Sequence, residues 1–204
     1  MNSTVRGPDG ELRCSWCSAA PEFFEYHDNE WGYPVDDNIR LFEKLCLESF
    51  QSGLSWRTIL SKRENFRVAF LNFDFNKVTK FSEADVERLL SDQGIVRHRG
   101  KIEAVINNAK RAQELVQQEG SLAAFFWRFE PSADDLSEPQ AASTSKASIA
   151  LSKALKKQGW KFVGPTTIYA FMQAMGLIND HSDECVFRER IEQARRCFER
   201  PGNV

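Results

Sequence analysis

The chain has no apolar run approaching the roughly 18–20 residues of a membrane span. Its polar start, Met1 to Arg13, lacks the apolar stretch of an export leader. These absences set the expectation of a cytoplasmic protein with no membrane partner. Five cysteines, an odd number without an export signal, argue against a disulfide framework and leave thiols free for metal. There is no G-x-S-x-G elbow, no P-loop and no dinucleotide glycine fingerprint, which removes three common chemistries. Strand alternation and internal repeats are missing throughout. Asp and Glu are also missing between Glu138 and Asp180, where Lys146, Lys153, Lys156, Lys157 and Lys161 fall. In a chain of net charge −2, such a stretch either binds a polyanion locally or is a solvated helix face. A second basic cluster is Arg97-His98-Arg99-Gly100-Lys101, whose histidine reads as surface or phosphate-facing.

What remains is helical periodicity in a 204-residue chain, 42% apolar and 27% charged, long enough for one large or two small domains. Asp36 or Asp37 can cap a helix with Leu41, Leu45, Glu48 and Ser52 on one stripe. Ser82 caps a short helix over 83–90, and 101–118 is a longer amphipathic one. Residues 131–147 read as a polar linker or long loop, followed by helices near 149–158 and 166–175. The expected fold is all-α, with eight or more short helices. Sixteen Phe and five Trp exceed what such a core needs, which leaves some rings for a ligand.

Two of the three histidines lie near opposite ends of the chain, each with a cysteine in reach. Cys14 precedes His27, and His181 is followed by Cys185 in an H-x3-C spacing. Two thiols and two imidazoles form the ligand set of a closed tetrahedral zinc site. Cys17, in a C-x2-C pair with Cys14, is an alternative ligand. No open coordination position with a neighbouring base is apparent, so the metal reads as structural. Cys46 falls in an apolar helix pattern and reads as a buried hydrophobe, and Cys197 has no readable role.

Glu48 shares its helical stripe with Leu41 and Leu45 in a mainly apolar stretch, so it is either buried with a task, buried in a salt bridge with an Arg, or exposed at the stripe's edge. Trp56 could lie over the same cavity. The run Tyr26-His27-Asp28-Asn29-Glu30-Trp31-Gly32 places a phenol and an indole beside a metal ligand, with Trp16 and Phe23 nearby. Aromatic walls around one carboxylate suit a planar, electron-poor ligand; core packing is the ordinary fate of any one of these rings. Finally, a Lys-rich helix ends at Gly159, a short crossing through Lys161 reaches Gly164, and a helix opens at Pro165 or Thr166. Such an element grips a phosphate backbone through close approach and helix N–H groups, or it simply joins two packed helices.

Five motifs then follow one another in order. They are Tyr26-His27-Asp28-x-Glu30-Trp31-Gly32, Glu48-x-x-Gln51-x-Gly53-Leu54-Ser55-Trp56, Gly94-Ile95-x-Arg97-His98-Arg99-Gly100-Lys101, Lys161-Phe162-Val163-Gly164, and Phe171-Met172-Gln173-Ala174 through Asn179-Asp180-His181. From about Arg13 to Cys185 the chain resembles the DNA-3-methyladenine glycosylase I family, a zinc-containing branch of the helix–hairpin–helix DNA glycosylases. The resemblance implies one structural zinc on Cys14, His27, His181 and Cys185. It implies a base pocket with Glu48 and Tyr26 as catalytic groups and Trp56, Trp16, Trp31 and Phe23 as walls. The DNA grip would fall on Lys157, Gly159, Lys161, Gly164 and Thr166. The family is similar in lacking a catalytic Asp after the hairpin, and no buried lysine suggests Schiff-base chemistry, so a monofunctional hydrolase is expected. Phe23 stands where the family often has Tyr, and Ser49 and Ser52 replace small Gly and Ala, which would narrow the pocket.

The expected organisation is a flexible segment over 1–12, a glycosylase domain over 13–185 with its helix–hairpin–helix about 149–176, and a basic tail over 186–204. That tail is either a helix packed on the body or a flexible arm. Expected partners are double-stranded alkylated DNA and free 3-methyladenine as product, with the protein acting as a monomer. A non-catalytic, zinc-stabilised reader of alkylated bases is the alternative.

Overall fold

Asp37 starts the helix around which the molecule is organised, its side chain accepting a hydrogen bond from Arg40 N at 2.8 Å. The computed structural model, which describes residues 3–202, has eleven α-helices in that range. They are α1 Glu22–Asn29, α2 Asn38–Gln51, α3 Trp56–Ser61, α4 Arg63–Ala69, α5 Phe75–Val78, α6 Glu83–Ser91, α7 Arg99–Glu119, α8 Leu122–Trp127, α9 Lys146–Lys157, α10 Pro165–Ala174 and α11 Phe187–Cys197. In α2 every residue from Leu41 to Phe50 is buried, because α3, α7, α8 and α10 surround it. The all-α expectation holds for this body.

Helix ends follow local chemistry. The exposed His98 caps α7, its Nδ1 accepting from Lys101 N at 3.2 Å, and Gly120 ends that helix at φ +82°. Ser145 and Ser148 form a reciprocal capping box that starts α9 at Lys146, earlier than the periodicity suggested. Pro165 occupies the first turn of α10, where its missing N–H costs nothing.

Most of the phenylalanine goes to the core. Phe50, Phe66, Phe70 and Phe73 form a run with successive ring centroids 4.7, 6.3 and 5.5 Å apart. Only Phe23 among the described phenylalanines lines the cleft described below. The surplus of rings noted in the sequence is therefore mainly packing, and the ligand-facing share falls to tryptophan.

The N-terminal segment differs from expectation. Thr4–Arg6 (β1) pairs antiparallel with Leu12–Cys14 (β2), and the hairpin lies on the C-terminal part of the chain. Val186 N donates to Leu12 O at 3.0 Å, and Ser182 Oγ donates to Ser3 O at 2.9 Å. Arg13 holds it from the other side, bridging Asp9 and Asp28 at 2.6 and 2.8 Å. Three-residue strands are too short for alternation to register, and their anchors lie far away in sequence. Met1 and Asn2, also in the segment expected to be flexible, lie outside the described residues.

Residues 186–204 take the packed-helix form as far as they are described. Phe187, Ile191 and Arg195 of α11 are buried, and Arg195 pairs with Glu130 at 2.8 Å. The linker carries one short 3₁₀ turn, Ala133–Asp135, and returns to the body at Gln140, whose N–H donates to Asp180 Oδ1 at 3.0 Å.

Candidate active site and metal centre

An open cleft of about 340 Å³ lies between α1, α2, α3 and α10. Trp16, Phe23, Tyr26, Trp31, Glu48 and Trp56 all line it, together with Gln51, Gln140 and Gln173. Trp16 packs edge to face with Phe23 and Trp31 at 5.8 and 5.1 Å, and Tyr26 lies tilted 5.3 Å from Trp56. Glu48 is 5% exposed, so the wet stripe-edge alternative does not hold. Trp56 Nε1 is buried with no hydrogen-bond partner among the described residues. Gln51 and Gln173 sat inside the motifs quoted above; Gln140 comes from the polar linker, where nothing in the sequence singles it out.

The partner of Glu48 is a lysine rather than an arginine. Lys44, one turn earlier on α2, pairs with Glu48 Oε1 at 2.7 Å and donates to the Tyr26 hydroxyl at 2.7 Å. Its ammonium also sits 3.6 Å from the ring centroid of Trp56. A buried lysine thus stands behind the pocket, although it does not line the aromatic cleft. Burial pushes the Lys44 ammonium down and Glu48 opposes that shift; burial with the Glu48 charge pushes the Tyr26 phenol well up. Behind Lys44, Arg63 clasps Glu30 at 2.6 and 2.8 Å, and Arg67 clasps Glu43 at 2.7 Å.

Cys14, His27 and Cys185 bring one ligand atom each to within 4.8 Å of one another, all three buried, so this group can hold a metal. Cys17 is not part of that group, and burial pushes its thiol up to about 12. Cys185 Sγ stands 3.5 Å from His27 Nε2. Hydrogen bonding with Cys14 and then with His27 draws the Cys185 thiol down against its burial, while the contact with Cys185 and burial push Cys14 up. Outside that trio, His181 packs its ring 4.9 Å from the His27 ring. Its Nδ1 is taken by Asn179 Oδ1 at 3.0 Å, and its Nε2 is buried without a partner. His27 Nδ1 faces Asp28 Oδ1 at 2.7 Å. Each ring thus has one nitrogen oriented by an oxygen, the arrangement that presents the other to a metal. Trp31, its ring tilted 4.5 Å from that of His181, joins the metal group to the cleft.

α9 and α10 pack against each other as a hairpin. Its turn is pinned by side chains that take the carbonyl oxygens inward. Gly159 O accepts from Asn107, Lys161 O from Asn108, Phe162 O from Ser49 and Val163 O from Ser152, at 2.9, 2.9, 3.0 and 2.6 Å. Ser49 therefore braces the hairpin and does not narrow the pocket, while Ser52 lies on a neighbouring cleft. Gly159 requires its φ of +82°, but a Cβ on Gly164 would meet nothing within 4 Å. No side chain caps α10, and Lys157, Lys161 and Thr166 are exposed around its start. The neighbouring cleft shares Glu48, Gln51 and Ala170 with the aromatic one and runs to Thr166 and Thr167.

Comparison with known proteins meets this geometry. Residues 16–189 match the family model described as methyladenine glycosylase. The chain is 50% identical over 177 residues to DNA-3-methyladenine glycosylase 1 of Escherichia coli (strain K12), covering 85% of this chain and 95% of that protein. A crystal structure of a 3-methyladenine DNA glycosylase I superposes with a TM-score of 0.80 at 48% identity, over 85% of this chain and 98% of the other. A Staphylococcus aureus 3-methyladenine DNA glycosylase I, solved to describe how it recognises 3-methyladenine, superposes at 0.81 with 36% identity over 86% and 95% of the two chains.

Proposed function

The chain belongs to the methyladenine glycosylase family, and from that membership we propose that it is a DNA repair hydrolase that releases 3-methyladenine from alkylated duplex DNA, leaving an abasic site. The observation that carries the reading is a buried carboxylate, Glu48, facing an aromatic cleft of a size for one base. Methylation at N3 gives the adenine a positive charge and makes it a good leaving group. The protein then has to take the base out of the stack, hold it and admit water to C1′. Flipping a damaged base costs less than flipping a normal one, which is itself selective.

In the cleft, Trp16, Trp31 and Trp56 offer faces for stacking, and Glu48 accepts hydrogen bonds from the base edge. Tyr26 holds the Glu48 side of the wall through Lys44. The bonding electron pair of the glycosidic bond leaves C1′ with the departing base and neutralises the methylated ring, so positive charge develops at C1′. Water then closes the bond to the oxocarbenium-like carbon, and its proton passes to solvent or to the base. Lys44 does not line the cleft and is held by Glu48 and Tyr26, so no amine is presented to C1′ and the reading stays monofunctional.

A single structural zinc on Cys14, His27, Cys185 and His181 fits the donor set, and the orphaned His181 Nε2 supports the fourth ligand. Bound there, the metal would cross-link these segments. Lys157, Gly159, Lys161, Gly164 and Thr166 are read as the phosphate grip of a helix–hairpin–helix, supported by inward carbonyls and an uncapped α10.

The test is release of free base from methylated duplex DNA. Wild-type protein is expected to release 3-methyladenine, and Glu48→Gln to lower kcat/KM by about 10–100-fold with folding intact. Tight binding to alkylated DNA without base release over long incubation would replace this reading with the non-catalytic reader.

A further inference from the structure

Lys44 is 6% exposed, and its ammonium meets three members of the cleft wall from behind. It pairs with Glu48 at 2.7 Å, donates to Tyr26 at 2.7 Å and lies on the face of Trp56 at 3.6 Å. The residues around it on the far side are Glu30, Arg40, Glu43 and Arg63. Glu30 is shared by Arg63 at 2.6 Å and Arg40 at 3.6 Å, and Glu43 is held by Arg67, so neither carboxylate is a direct partner of Lys44. Lys44 and Glu48 therefore form a pair of their own. An apolar side chain of similar volume would pack this turn of α2 without taking a charge out of water. The ammonium needs an account beyond packing.

We infer that Lys44 is a positioning residue that sets how the cleft weighs cationic against neutral bases, by fixing Glu48 and Tyr26 and offsetting much of the Glu48 charge. The inference rests on the base-cleft reading above. A lone buried carboxylate attracts a cationic ring strongly, because the field is poorly screened there. A carboxylate compensated from behind acts more as a hydrogen-bond acceptor than as a charge, and that function serves neutral rings as well. The ammonium over Trp56 acts in the same direction, since it draws on the ring quadrupole that would otherwise hold a cation on the opposite face. Both effects widen the range of bases the cleft accepts.

The test is fluorescence titration of the full chain at about pH 8, above the ordinary carboxylate range. The probes are neutral adenine and the permanently cationic 3,9-dimethyladeninium. Lys44→Met is expected to raise the ratio of cation to neutral affinity by about tenfold or more. Lys44→Arg is expected to keep the wild-type ratio. In a Glu48→Gln background, Lys44→Met should move the ratio by less than about twofold. A ratio unchanged by Lys44→Met, or shifted equally with Glu48 removed, overturns the inference. Lys44→Gln, which keeps a donor without the charge, reads the same ratio should the Met variant fail to fold. Wild-type protein that binds neither probe overturns the base-cleft reading along with it.

Discussion

At Gly32 the backbone runs at φ +88°, and a Cβ there would lie 2.8 Å from Cε1 of His181. Glycine is required twice over, by the left-handed backbone and by the imidazole beside it. Gly32→Ala is expected to cost about 1–2 kcal/mol from the backbone alone, and to lower metal affinity by about tenfold through the displaced ring. Metal titration of the purified variant, followed by a thermal melt, checks both. Glu48 and Lys44 show what single residues disclose. The stripe Leu41, Leu45, Glu48 was enough to bury the carboxylate, because burial follows helix phase. Its partner in the salt-bridge alternative is an arginine, and the structure supplies Lys44 instead, four residues before Glu48, a spacing at which helix side chains meet. What periodicity could not supply was the third contact, the Tyr26 hydroxyl from α1, which depends on how two helices cross. Cys14 over Cys17 was likewise undecided in sequence, because a C-x2-C pair offers two thiols and only tertiary placement selects one.

Among the elements, α1 and α4 are tied by Glu30 and Arg63 behind the cleft. Burial alone would raise the Glu30 carboxyl, but the Arg63 hydrogen bonds and the charges of Arg63, Arg40 and Lys44 hold it below the ordinary range. A depressed native value means stability that is present above the unfolded carboxyl range of about 4.3 and lost as pH falls through the native one. Glu30→Gln should therefore flatten the acid limb of stability against pH, as read by denaturant unfolding at stepped pH. The α9–α10 hairpin was visible in sequence because glycines and a proline punctuate it. The side chains that pin its turn were not, since Asn107, Asn108 and Ser49 arrive from α7 and α2. Lys157→Gln and Lys161→Gln are each expected to weaken binding to alkylated and unmodified duplexes alike, and to reduce the slope of log affinity against log salt by about 1. Unequal loss between the two duplexes would place these lysines elsewhere than on phosphate.

At the scale of the molecule, the net charge of −2 says little, whereas the acid-free stretch from Glu138 to Asp180 coincides with the hairpin and its exposed lysines. The two ends of the chain meet at Cys14, His27 and Cys185, a pairing that spacing suggested and the fold supplies. The β1–β2 hairpin reinforces the same junction through Val186 and Ser182, by contacts too distant in sequence to read. Cys185→Ser is expected to copurify without metal and to melt on the order of 10 °C lower. Strong chelation of wild-type protein should reproduce that shift. A thermal midpoint indifferent to chelation, with no metal by elemental analysis, would remove the clasp from this account.

That junction also orders events during synthesis. Trp31 and Tyr26 flank His27, and Trp31 packs on His181, yet His181 and Cys185 are made only after α10. A nascent chain stalled between Trp56 and His181 carries every aromatic wall of the cleft without the imidazole that Trp31 packs on. Such truncated products would lack the His27–His181 junction behind Trp31, so the cleft is finished only after α10 has been made.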